Sequence, residues 1–313
     1  MFDLIILSRQ IALFFVIPCF LTGILGGIFN IMVFSSLQLF RQNSCAFYLM
    51  MMSSFNIAQM LIGVFSRILT TGFDIDWTMT SLIYCKFKYF SLQFTAIMSS
   101  TCLCLATIDQ YLATCTHRYW QRYCQIKLAC RIFVFVTIIM IFEQSPTLVF
   151  YTHSSPINGT CLILNKYFDK FNLFFNRAIL WYSLPILVNL LFGILAYCNI
   201  KQITYRTIPL VRRELDKQLT MMVFIQVLLN FLIIIPSLII GIILFRTTSL
   251  NQQQIQAAHA INSCVFYFYF AVRIKTIFFY CSFSLFLLYY LESILHLHIS
   301  FRKISSTIFL RCI

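Results

Sequence analysis

Asp109, Gln110 and Tyr111 stand side by side at the end of a long apolar stretch that Cys85 opens, and side chains able to move a proton or hold an ion are scarce around them. Catalysis is not the chemistry they suggest. The five histidines (His117, His153, His259, His296 and His298) are scattered, and His296 and His298, two residues apart, cannot share one helical face. No metal site, catalytic constellation or cofactor is therefore expected, and no glycine-rich phosphate cradle is present in the sequence. What remains is ion pairing and hydrogen bonding within apolar surroundings. Lys88, Glu143, Arg177 and Arg273, with Arg67, Lys86 and Lys275, predict a partly basic cavity suited to acidic groups or to the many carbonyls of a peptide. Lys and Arg near helix ends also snorkel to lipid headgroups without touching a ligand.

The elements that must position these residues follow from composition. Hydrophobic residues make up 60% of the 313 and charged residues 10%, with 35 Phe and 16 Tyr, which excludes an ordinary soluble domain. In lipid every backbone group must be satisfied internally, so spanning elements are helices or closed barrels. The apolar runs are far longer than the alternating segments of a barrel, and helices are predicted. Runs near 11–36, 45–70, 86–111, 128–151, 172–200, 218–245 and 264–291 read as spans. The expected fold is an all-α membrane protein, a seven-helix bundle over 11–291 with a short leading segment (1–10) and a short tail (292–313). From Cys85 to Asp109 a helix covers about 36 Å, slightly more than a hydrocarbon core.

Lys and Arg set the orientation. Arg41, Arg118, Arg122, Lys127, Lys201, Arg212, Arg213 and Lys217 gather at one set of ends, which predicts an external N-terminus and a cytoplasmic C-terminus in a multi-pass plasma-membrane protein. The net charge of +14 is partly explained this way and gives no reason to invoke nucleic acid. Of the 13 cysteines, Cys85 and Cys161 both fall to the external side, where a bridge between them would tie the third span to the long outer loop. Asn158-Gly159-Thr160 in that loop is a glycosylation sequon. In the tail, Arg302, Lys303 and Arg311 beside Ile304, Ile308, Phe309 and Leu310 suggest a segment lying along the membrane.

With Cys85 at one end of the third span and Asp109-Gln110-Tyr111 at the other, the chain resembles the rhodopsin-like G-protein-coupled receptors. Asn30 followed by Val33 is similar to the first-span motif, Leu49 to Asn56 to the second, and Pro146, Pro185 and Pro236 to the prolines of spans four, five and six. Only Tyr289 matches the seventh-span motif. The resemblance implies a ligand-driven pivot at Pro185 and Pro236 that opens a cleft for a heterotrimeric G protein. Asn43-Ser44-Cys45 and the missing tryptophans of spans four and six are similar to divergent invertebrate neuropeptide receptors, including FMRFamide-receptor-like ones, and this implies a peptide ligand.

The departures carry their own expectations. Gln110 stands where the family has arginine, so any lock to Asp216 near the sixth span is a neutral hydrogen bond, and raised basal signalling is expected. Asn56 stands where relatives have a sodium-binding aspartate, beside the helix-three serine position at Ser99, so no sodium effect on agonist affinity is expected. Leu92 occupies the position at which amine receptors carry aspartate, which disfavours an amine transmitter. Two alternatives remain open: a transporter or channel with Glu143, Arg177 and Arg273 along its path, and a receptor-like protein that no longer signals.

Overall fold

The computed structural model describes residues 14, 16–36, 43–73, 75–115, 118–154 and 161–203, together with positions 220, 221, 223–225, 227 and 228. These residues are almost entirely helical. The first helix runs Ile17–Ser36. The second begins at Ser44–Gln59, loosens into a π-helical stretch at Met60–Val64 and continues as Phe65–Phe73. A single turn, Trp77–Thr80, precedes the third helix, Leu82–Thr114. The turn Arg118–Gln121 leads to the fourth, Ile126–Gln144, extended by Pro146–Phe150. The fifth comprises Lys166–Phe171, a π-helical stretch Asn172–Ser183, and Leu184–Ile203.

Local sequence explains where these helices start. Asn43 caps the second helix by accepting from the backbone N–H groups of Cys45 and Ala46. Ser81 caps the third through the N–H of Tyr84, Asp76 caps the preceding turn through Thr78, and Asn165 caps the fifth through Tyr167 and Phe168. Pro146 opens the last segment of the fourth helix, where a missing N–H costs nothing. Pro185 has the opposite effect in the fifth. It removes a helical donor, and the turns before it are widened, with Ser183 donating its hydroxyl to the carbonyl of Ala178 five residues back.

Among the described residues, three helices are long and apolar enough to cross a membrane: Ser44–Thr70 (27 residues), Leu82–Thr114 (33) and Lys166–Asn199 (34). The distribution of polarity is inverted relative to a water-soluble protein. Asn30, Ser53, Asn56, Ser99, Thr107, Gln110, Gln144 and Asn189 are buried, while Val134, Phe135, Ile138, Phe142, Leu187 and Leu191 are exposed. An apolar exterior around a polar-lined interior is what a hydrocarbon solvent selects. The described part of the chain is thus compatible with an all-α membrane protein.

The third helix is the centre of the packing. One core cluster joins Val33 and Phe34 of the first helix, Cys45, Ala46, Tyr48, Leu49 and Met52 of the second, Cys102, Leu103 and Ala106 of the third and Ala129 of the fourth, with Val223 and Val227 from the stretch after the fifth. Small residues at the contacts let backbones approach, most tightly at Gly27. A β-carbon there would lie 2.6 Å from Ile57 Cγ1.

Between the fourth and fifth helices the chain forms an antiparallel hairpin, β1 (Tyr151–His153) with β2 (Cys161–Ile163), pairing Tyr151 with Ile163 and His153 with Cys161. A disulfide joins Cys85 to Cys161, with Cα atoms 6.0 Å apart. A ring nitrogen of His153 meets the carbonyl of Thr78 at 2.7 Å, and the Tyr151 ring stacks on Tyr89 at 4.4 Å. The hairpin is therefore held on the Cys85 end of the third helix by a covalent bond, a hydrogen bond and a ring contact.

Candidate functional site

Two groups of polar residues stand out, one at each end of the third helix. At the Asp109 end, Asp109 and Gln110 are both buried, and each is engaged by another helix. The Ser44 hydroxyl lies 2.7 Å from both carboxylate oxygens of Asp109, so one proton is shared between them. Ser44 is the first residue of the second helix, placed there by the Asn43 cap. Gln110 Oε1 accepts from the hydroxyl of Thr220 at 2.9 Å. The Cys124 thiol donates to the Asp109 carbonyl, and the Tyr48 hydroxyl donates to the Ala129 carbonyl at 3.4 Å. Tyr111 lies against Phe192 of the fifth helix, ring centroids 5.4 Å apart.

Between the two ends the third helix holds its neighbours through single polar pairs. Ser99 donates to Asn56 Oδ1 at 2.6 Å, and Thr107 donates to Asn189 Oδ1 at 2.9 Å. The Cys104 thiol points at the Pro185 carbonyl, 4.0 Å away. In a hydrocarbon solvent such pairs fix helix register, since the alternative is an unpaired polar group.

At the Cys85 end, Lys88 is half-buried, and the charges acting on it are Asp76, which attracts, and Arg67, which repels. Among the described residues Glu143 makes no ion pair with Lys88 or another cation. Its Oε2 takes the amide of the adjacent Gln144, and its Oε1 is buried without a partner. Leu92 is half-buried, with its carbonyl turned toward the Thr95 hydroxyl at 3.3 Å. Gln93, not anticipated from the sequence, lies 3.4 Å from the Tyr151 hydroxyl through its amide nitrogen.

Of the residues singled out from the sequence, the structure joins Cys85 to Cys161 and sets Ser99 against Asn56. It engages Asp109, Gln110, Tyr111 and Pro185 with other helices. Asn158, Asp216, Pro236, Arg273 and Tyr289 lie outside the described residues, as does the side chain of Arg177. Ser44 was marked in the sequence only as part of Asn43-Ser44-Cys45, and Thr220, Gln144 and Asn189 went unremarked, although each of these three is a polar residue in an apolar run, which in a membrane helix is itself a signal. Among the described residues no group of three or more His, Cys, Asp or Glu side chains is arranged to hold a metal ion.

The chain matches no protein-family model, and no curated protein matches it.

Proposed function

We propose that this chain is a seven-helix receptor of the rhodopsin-like kind, converting the binding of an extracellular ligand, a neuropeptide, into activation of a heterotrimeric G protein from the plasma membrane. The observation that carries the reading is the pair of contacts at the Asp109 end. Asp109 is held by Ser44 of the second helix, and its neighbour Gln110 is held by Thr220, beyond the fifth. A polar triplet at the end of a central helix, gripping two other segments through hydrogen bonds, is a latch that a modest free energy can open. Pro185, with widened turns before it, supplies a point where the fifth helix can flex. The disulfide between Cys85 and Cys161 anchors the opposite end, so movement is directed toward the latch.

The test is G-protein activation in cells displaying the tagged chain at their surface, first without ligand and then with a panel of amidated and acidic neuropeptides. A peptide-dependent rise supports the receptor reading. Absence of any response at confirmed surface display, with basal signal equal to that of untransfected cells, overturns it. Solute flux through proteoliposomes carrying the purified chain would point instead to a transporter.

A further inference from the structure

The turn between the third and fourth helices carries three aromatic rings that the described residues leave largely uncovered. Tyr119, Trp120 and Tyr123 are 60%, 46% and 43% exposed. Ring centroids lie 5.7 Å apart for Tyr119 and Trp120, 5.5 Å for Tyr119 and Tyr123, and 6.2 Å for Trp120 and Tyr123. The two tyrosine hydroxyls meet at 2.8 Å. Rings of this kind, apolar in body and polar at one edge, suit the boundary between hydrocarbon and water rather than either side alone. The turn is also fixed in place. Gln121 donates its amide to the Cys115 carbonyl at 2.9 Å, and the Cys124 thiol donates to the carbonyl of Asp109. These contacts set the turn level with the Asp109 end of the third helix, about 36 Å from Cys85 and so at the edge of a hydrocarbon core.

The fourth helix brings positive charge to the same level. Lys127, Arg131, Phe135, Ile138 and Phe142 follow one another at the spacing of a single helical face, and all five are exposed. The opposite face is the packed one, with Ala129 in the core cluster and the ring of Phe133 edge-on to Phe47 at 5.6 Å. In a membrane Phe135, Ile138 and Phe142 therefore meet lipid chains, and Arg131 and Lys127 continue that face, outside the bundle, toward the headgroups. Lys127 lies about 6 Å beyond Arg131 at 1.5 Å per residue. Arg122 is exposed in the turn itself. No Asp or Glu stands between Asp109 and Glu143, so no acid of this segment offsets Arg118, Arg122, Lys127 and Arg131.

A pocket needs atoms that converge, whereas a bilayer surface needs only groups that share a depth and face outward. Basic side chains on a lipid-facing stripe, level with exposed Tyr and Trp, meet that condition, and the groups they encounter there are phosphates. We infer that Tyr119, Trp120, Arg122, Tyr123, Lys127 and Arg131 form a docking surface for anionic lipid, a phosphate headgroup of net negative charge in the leaflet at the Asp109 end. A protein partner fits less well, because the stripe that carries Lys127 and Arg131 runs on without a break into Phe135, Ile138 and Phe142. Docking bears on the polar contacts of this end as well, since the turn is bonded to the carbonyl of Asp109. The surface rests on the membrane reading of the helices and holds equally for a receptor and for a transporter.

The chain has three tryptophans, so Trp77→Phe and Trp181→Phe together leave Trp120 as a single reporter in the full-length protein. This variant is reconstituted in phosphatidylcholine vesicles holding a small, equal fraction of brominated phosphatidylglycerol or brominated phosphatidylcholine, and quenching of Trp120 fluorescence reports the lipid beside it. The anionic lipid is expected to quench as though enriched about fivefold or more, the factor that one basic side chain at an anionic surface supplies. Arg122→Gln, Lys127→Gln and Arg131→Gln combined should bring the two lipids level. Neutralising Lys166 and Lys170, exposed at the other end, should leave the preference intact. Where the triple variant fails to reconstitute, molar salt replaces it, since a screening length of about 3 Å should erase the preference of exposed charges. Equal quenching by both lipids, no quenching by either, or a preference that survives neutralisation or its salt substitute overturns the surface. If no lipid quenches Trp120 and added G protein shields it from aqueous iodide, the same residues belong to a protein interface instead. A lipid preference in a chain that never activates a G protein keeps the surface and loses the receptor reading.

Discussion

Gln110 and Thr220 face each other in the interior, the threonine hydroxyl donating to Gln110 Oε1 at 2.9 Å, so a neutral hydrogen bond helps couple the third helix to a segment beyond the fifth. Both residues are buried, at 1% and 2% exposure, and Val223 and Val227 carry the same segment into the main core cluster. Asp216, the residue expected from the sequence to meet Gln110, lies four positions before Thr220 in the sequence and outside the described residues.

Removing the donor should weaken that coupling. Thr220→Val keeps the shape and leaves Gln110 Oε1 unpaired, at a cost of about 1 kcal/mol to the coupled state, or a factor of about five in its population. Ligand-free G-protein activation, measured at matched surface expression, is expected to rise. An unchanged basal signal in both Thr220→Val and Gln110→Arg would remove the latch from the account.

Sodium should leave the chain indifferent. Asn56 offers a neutral carbonyl already occupied by the Ser99 hydroxyl at 2.6 Å, where a monovalent cation would need an anionic ligand. Thermal melting in sodium chloride and in choline chloride at equal ionic strength is expected to coincide for the natural chain and to separate for Asn56→Asp. A sodium-dependent shift in the natural chain would contradict this.

Gly27→Ala tests the tight contact between the first and second helices. The added methyl would sit 2.6 Å from Ile57 Cγ1 and 2.9 Å from its Cδ1, so Ile57 must move or the first and second helices must part. A loss of about 1–3 kcal/mol is expected, as for other overpacked sites. Ile57→Ala in the same chain should restore most of it. Melting curves in detergent for the single and double variants decide the matter, and a stable Gly27→Ala chain would show that the contact yields without cost.

The disulfide makes a prediction about non-additivity. Cys85→Ser, Cys161→Ser and the double substitution each break the same link, so all three should be destabilised equally, by about 2–5 kcal/mol. Cys198→Ser changes an exposed free thiol and should be neutral. Thermal inactivation half-lives compare the four, and a double variant markedly worse than either single would mean that the two cysteines act separately.

Much of the helical plan was readable because hydrocarbon imposes a single rule, an uninterrupted apolar run closed on its own hydrogen bonds. That rule located Leu82–Thr114 and the breaks around it to within a few residues. The Cys85–Cys161 link was readable too, since topology put both residues on one side. What escaped reading has a common cause. The partners Ser44 and Asp109 are 65 residues apart, and Gln110 and Thr220 are 110 apart, so their meeting depends on helix rotation and tilt rather than on local pattern. The hairpin at Tyr151–His153 escaped because three-residue strands leave no periodicity to detect. The π-helical stretch Met60–Val64 has no proline to announce it. Charged residues drew attention to a basic cavity, whereas the buried acceptors without a donor among the described residues include the neutral amides of Asn30, Gln93, Gln144 and Asn176 beside Glu143.

The widened turns of Asn172–Ser183 also change what a helical wheel of the fifth helix can mean. Drawn at a constant 100° per residue, the wheel sets Asn176 about 140° from Asn189, which would turn it away from the third helix. Wider turns advance less per residue and swing Asn172 and Asn176 back inward, where they are buried. The two halves of this helix are therefore out of phase, and chain length between them acts as an angular setting. Deleting a single residue from 172–183 would rotate the Cys85-side face while leaving Pro185 and Asn189 in register with Cys104 and Thr107. Over this stretch an insertion or deletion would disturb the packing against the third helix more than most substitutions within it.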